Sequence, residues 1–162
     1  MLTEIKTLFA YNSWANARIR DCVAKLSHEQ YTRDMSSSFP SVKATMEHIL
    51  SAEWIWWKRW HGESPSKFPD EWDVSSFEAL QQVWLQFDQQ YMAFGASLTA
   101  ADLDRTIAYH NIKGEPFENK LGDLCRHILN HSTYHRGQVT TLLRQLGAEA
   151  VSTDLILYYR SL

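Results

Sequence analysis

An all-α fold, an antiparallel four-helix bundle with long connections, follows from three observations on the 162-residue chain. Punctuation is sparse, with four Pro and six Gly. The stretches free of both run past about twenty residues with apolar side chains at helical spacing, and the segments between them are too long for tight hairpins. One domain over residues 1–162 is expected, because a chain of this size buries roughly 70% of its unfolded surface in a single core.

The first helix is predicted from about Leu2 to Leu26, with Ile5, Leu8, Phe9, Ile19 and Val23 on one face. Ser27-His28-Glu29-Gln30 has the capping-box spacing and opens a short helical turn. A second helix runs from about Ser41 to Trp60 and stops at Gly62 and the Pro65 to Pro69 loop. Ser75-Ser76-Phe77-Glu78, a second capping-box pattern, begins a third helix to about Leu98, whose stripe Leu80, Val83, Trp84, Phe87, Tyr91, Phe94 is wholly apolar. Between Ala108 and Glu118, β-type residues around Gly114 predict a loop or small hairpin. The fourth helix covers about Lys120 to Leu146 and ends at Gly147, and Thr153 to Leu162 forms a short apolar capping segment. A faint repeat relates Leu26 to Arg33 with Leu98 to Arg105, and Met46 to Leu50 with Cys125 to Leu129.

Composition excludes several classes of function. Seven Trp, seven Tyr and seven Phe exclude a disordered chain, and a net charge of −3 argues against a nucleic-acid partner. Cys22 and Cys125 are too few for a disulfide framework or a Cys-x-x-Cys metal site. No window has the run of apolar residues needed for a membrane span, and the N-terminal segment carries Glu4, Lys6, Asn12 and Asn16, unlike a secretory signal. A cytoplasmic location without membrane partners is the expectation.

The chemistry rests on histidine. His127, His131 and His135 stand at i, i+4 and i+8 within an arc of about 80°, in the stripe shared by Leu124, Ile128, Tyr134, Gln138 and Leu142 that should face the core. Arg126 and Arg136 fall on the other side and are expected to be exposed. Neutral imidazoles stacked inside a bundle need partners, and a divalent ion supplies one by accepting their lone pairs. All three cannot meet at one ion, since His127 and His135 are about 12 Å apart along the axis while metal–nitrogen bonds are about 2.0–2.1 Å. Spacing leaves both adjacent pairs open, and the third ligand must come from elsewhere. His48 is the best candidate, on a face lined by Ala44, Thr45, Ser51, Ala52 and Ile55. Asn12 and Asn16, inside the apolar stripe of the first helix, either fix helix register or line the pocket behind the ligands.

At these residues the sequence resembles the DinB family, the damage-inducible group of the DinB/YfiT-like superfamily of metalloenzymes. The resemblance lies in Tyr11-Asn12-Ser13-Trp14-Ala15-Asn16, in His48-Ile49-Leu50 with the Trp-rich run after it, and in His131-Ser132-Thr133-Tyr134-His135-Arg136-Gly137-Gln138. It implies a four-helix bundle, often dimeric, with a three-His site for a divalent ion such as zinc or nickel. Carried over, the ligands are His48, His131 and His135. His127 becomes a pocket neighbour one turn away, although the repeat equates it with His48 and keeps a His127–His131 pair as the alternative. The damage-inducible label does not imply DNA chemistry.

Three neutral ligands leave an open position on a tetrahedral ion, the arrangement of a catalytic site. Three functions follow: thiol-dependent S-transfer on a small molecule, with a low-molecular-weight thiol as partner; metal-assisted hydrolysis; and a non-catalytic metal-binding or sensor module. Glu47, Glu53 and Asp123 point away from the His column, which removes the obvious bases for hydrolysis and ranks transfer first. Tyr134 is the nearest remaining base, and Trp56 the Trp placed to wall the pocket.

Overall fold

The computed structural model describes all 162 residues. Its elements are α1 (Leu2–Val23), α2 (His28–Thr32), α3 (Val42–Trp60), α4 (Phe77–Ser97), α5 (Ala100–Leu103), β1 (Thr106–His110), β2 (Pro116–Lys120), α6 (Leu121–Gln145) and α7 (Leu155–Tyr159). The four long helices form the bundle, with α1 packed on α4 and α6, and α3 packed on α6 and α4. No helix is long and apolar enough to cross a membrane.

Helix ends follow local chemistry. Ser27 accepts from the Gln30 N–H while the Gln30 side chain accepts from the Ser27 N–H, a reciprocal cap that starts α2. Thr99 and Asp102 do the same for α5, so the two halves of the suspected repeat share this local structure. At α4 the expected capping box is absent. Ser76 is the cap and accepts from Ala79, whose side chain cannot reach back. Gly147 ends α6 at φ 68°, a left-handed turn that suits glycine.

Side-chain pairing gives the helix directions. His48 meets His135 while Trp56 meets His127, so α3 and α6 are antiparallel. Phe9 meets Tyr91 and Ser13 meets Asp88, so α1 and α4 are antiparallel. Trp57 meets Phe87 and Trp60 meets Phe94, which makes the successive helices α3 and α4 parallel. Parallel neighbours need a crossover, and residues 61–76 provide it. Close approach of α1 and α4 depends on Gly95, where an added Cβ would lie 2.6 Å from the Phe9 ring.

The core is continuous across the long helices, with Ile5, Phe9, Met46, Ile49, Leu80, Trp84, Tyr91, Ile128, Val139 and Leu143 buried. The Ala108 to Glu118 segment is a hairpin with longer strands than its sequence suggested, pairing Thr106 with Lys120 through to His110 with Pro116. The C-terminal segment packs back as expected: Tyr158 lies against Tyr11 and Trp14 of α1.

Candidate metal centre

Antiparallel packing of α3 on α6 brings three imidazoles together. His48 Nε2 is 3.2 Å from His131 Nε2, which is 3.1 Å from His135 Nε2, and the three donor atoms lie within 4.8 Å of one another. Nitrogens bonded to one tetrahedral ion at 2.0–2.1 Å would be about 3.3 Å apart, so the spacing fits ligands around a single ion. It fits hydrogen bonding poorly. A ring nitrogen carries either a proton or a lone pair, so His131 Nε2 cannot donate to one neighbour and accept from the other.

One proton is placed by its partner. His135 Nδ1 lies 2.7 Å from Gln138 Oε1, an acceptor, so Nδ1–H donates and the lone pair is left on Nε2, facing the other two rings. Phe39 closes the other side, stacked on His48 at 4.2 Å between centroids and edge-on to His135 at 5.4 Å. Its position comes from a tight loop: the Met35 N–H donates to the Pro40 carbonyl at 2.7 Å, the Ser36 N–H donates to Asp34 Oδ1 at 2.8 Å, and Ser36 adopts φ 51°.

Burial, then the nearby His135, pushes His48 down to about 4, and burial, then the other imidazoles, pushes His131 down to about 3. Both rings are neutral at pH 7, the form that ligates a metal. In the unfolded chain they return to about 6.5. Between these values the unfolded state binds more protons, so stability rises with pH and is lost as pH falls. Metal-free protein should therefore show a melting temperature that falls from about pH 6.5 towards pH 4. The fall should be shallower in a His48→Ala/His131→Ala variant, and equal slopes in the two proteins would contradict the assignment.

Behind the imidazoles lies a buried polar network. Glu53 Oε1 accepts from Asn12 Nδ2 at 2.7 Å, Asn16 Nδ2 at 3.0 Å and Ser132 Oγ at 2.7 Å. Arg136 donates to Asn12 Oδ1 at 2.6 Å, to Asn16 Oδ1 at 2.9 Å and to Thr133 Oγ1 at 2.8 Å. The two asparagine amides thus stand between a carboxyl group and a guanidinium, passing a hydrogen bond from one to the other. Complete burial raises the Glu53 pKa, and the three donors and the Arg136 charge oppose that rise.

Arg136 and Tyr134 depart from expectation. Arg136 is fully buried, because α1 covers the side of α6 that faces away from the imidazoles. Tyr134 is 65% exposed and touches only the edge of His135, so it does not point inward. Asn12 and Asn16 bond to Glu53 of α3 and Arg136 of α6, which matches the register-fixing alternative and not the pocket-lining one. His127 is exposed, its ring centroid 5.9 Å from that of His131, and stays outside the cluster. Trp56 packs on His127, with its ring centroid 5.1 Å away. Phe39 and the orienting role of Gln138 were not predicted. Gln138 three residues after His135 was the only readable signal.

Comparison with known proteins agrees with this architecture. The DinB family profile matches residues 1–161. Protein DinB of Bacillus subtilis (strain 168) is 27% identical over 158 residues, spanning 93% of this chain and 91% of that protein. A crystal structure of a DinB-like protein from Bacillus cereus ATCC 10987 shares the fold with a TM-score of 0.65 at 18% identity, covering 86% of this chain and 92% of that one. The chain belongs to the DinB family.

Proposed function

We propose that His48, His131 and His135 hold one divalent ion, zinc or nickel, and that the site serves thiol-dependent S-transfer to a small electrophile. The observation that carries this reading is the convergence of three imidazole nitrogens, one of them held as a lone-pair donor by Gln138. A divalent ion held by these neutral ligands with one position open would keep its full double charge and would supply the acidity that favours the thiolate form of a thiol near neutral pH. The chain's own residues supply the rest. Gln138 orients His135, and Phe39 covers His48 and shields that side of the cluster from water.

Transfer is favoured over hydrolysis because no carboxylate joins the three imidazoles. Glu53, the buried acid, lies in the network behind the imidazoles and not in their cluster, with Oε1 held by three donors from α1 and α6 and Oε2 buried without a partner. A thiol, with a free pKa of about 8.5 against about 15.7 for water, would need less help from a base to ionise at such a site.

The test is incubation of metal-loaded and metal-free protein with a panel of low-molecular-weight thiols and a chromogenic electrophile. A thiol-dependent rate found only in the loaded protein is expected. Ester or amide hydrolysis without any thiol-dependent rate would assign a hydrolase, and neither activity would assign a non-catalytic metal-binding module.

A further inference from the structure

Arg59, in the last turn of α3, is 5% exposed and has no hydrogen bond or ion pair. Its Nε is buried without a partner, and no carboxylate raises its pKa. Arg20 and Arg136 each also leave one buried nitrogen unpartnered, but they differ in having hydrogen bonds or carboxylates nearby. Arg136 is bonded to Asn12, Asn16 and Thr133, and Arg20 feels Asp88 and Glu53. Two rings cover the Arg59 guanidinium, Trp56 at 4.5 Å and Tyr109 at 5.2 Å, and this offsets part of the cost of burying the charge. Rings accept no in-plane hydrogen bonds, so the five N–H donors have no acceptor within the protein, and Nε is closed to solvent as well.

Arg59 lines a pocket of about 630 Å³ between the ends of α3 and α4 and the start of β1. Arg105 lines the same pocket, is exposed, and is also without an ion pair. The single acid on the wall, Asp102, is held by the backbone N–H and hydroxyl of Thr99 as the cap of α5. Two arginines against one aspartate leave the pocket with one uncompensated positive charge.

We propose that this pocket binds the carboxylate of a small organic acid, with Arg59 as its main contact and Arg105 at the rim. A carboxylate accepts two parallel hydrogen bonds from a guanidinium fork, which would satisfy donors the fold leaves open. One negative charge also balances the pocket, whereas a phosphate dianion would leave it net negative. The site involves none of the three clustered imidazoles and does not depend on the metal reading.

The experiment is a nitrogen-15 NMR titration of the full chain with sodium acetate at constant ionic strength, with sodium chloride as control. Acetate should give saturable shifts of the Arg59 Nε–H and of the amides at 59–62 and 105–108, and chloride should not. Arg105→Ala, at an exposed side chain, should weaken binding by about three- to tenfold, and Arg59→Lys by more than about tenfold. A thermal melt checks that Arg59→Lys is folded, and if it is not, the Arg105→Ala titration decides. Shifts equal to those in chloride, an unchanged affinity in Arg105→Ala, or tighter binding of inorganic phosphate than of acetate would overturn the proposal. The same titration of His131→Ala should match wild type, which separates this result from the fate of the metal centre.

Discussion

Replacing Glu53 with alanine is expected to destabilise the protein by about 3–5 kcal/mol, because buried donors left without an acceptor cost about 1–3 kcal/mol each. The substitution strips the acceptor from Asn12, Asn16 and Ser132 at once and removes the group that holds the two asparagine amides towards the fully buried Arg136. For a chain of this length the melting temperature should fall by on the order of 10 °C. Glu53→Gln keeps an amide oxygen where Oε1 now accepts, so it should cost less. Thermal melts of metal-free wild type and both variants at pH 7 make the comparison. An alanine variant within about 1 °C of wild type would mean that Asn12, Asn16 and Ser132 find other acceptors.

Loss of His131 should have the largest effect on metal content. It is the middle imidazole, with His48 Nε2 and His135 Nε2 at 3.2 and 3.1 Å, and without it the other two present an incomplete ligand set. Removing a hydrogen-bond partner of a ligand typically weakens metal binding 10–100-fold, and removing the ligand itself should exceed about 100-fold. Protein purified without a His tag should carry close to one equivalent of ion by elemental analysis, His131→Ala almost none, and His127→Ala the wild-type amount. Retention of metal by His131→Ala would sink the three-His site. Loss in His127→Ala with retention in His135→Ala would restore the pairing suggested by the repeat.

The long helices could be read from the sequence because their signals are local. Ser27 with Gln30, Gly147 and the apolar stripe of α4 each act within a few residues. The convergence of His48 with His131 and His135 was also within reach: i, i+4 spacing limits the pair on α6 to two choices, and the resemblance to the DinB family selects His131 with His135. What could not be read depends on neighbours. A wheel with one buried stripe assigns Arg136 to solvent, but α6 packs on α3 and on α1, so two of its faces are covered. Tyr134 failed in the opposite sense, at the edge of the stripe where no helix covers it. Phe39 sits in a loop with no periodicity, and nothing in Ser36-Ser37-Ser38-Phe39-Pro40 shows that its ring will rest on His48. The Asn12 and Asn16 amides signalled a buried partner, but that their partners are both an acid and a base is known only once three helices are assembled.

Along α6, His131 and His135 are each followed directly by a residue that anchors the helix, Ser132 and Arg136. The two duties are offset by one position, about 100° of helical rotation. This constrains how the sequence can diverge. Point substitutions can be absorbed one at a time, but a residue inserted or deleted between His131 and Arg136 would shift the phase of the later pair, turning imidazole towards the amides of α1 and guanidinium towards the imidazole side. Alignment gaps among relatives that keep both features therefore belong in the 61–76 crossover and the 111–115 turn, while the 131–136 stretch should align without a break.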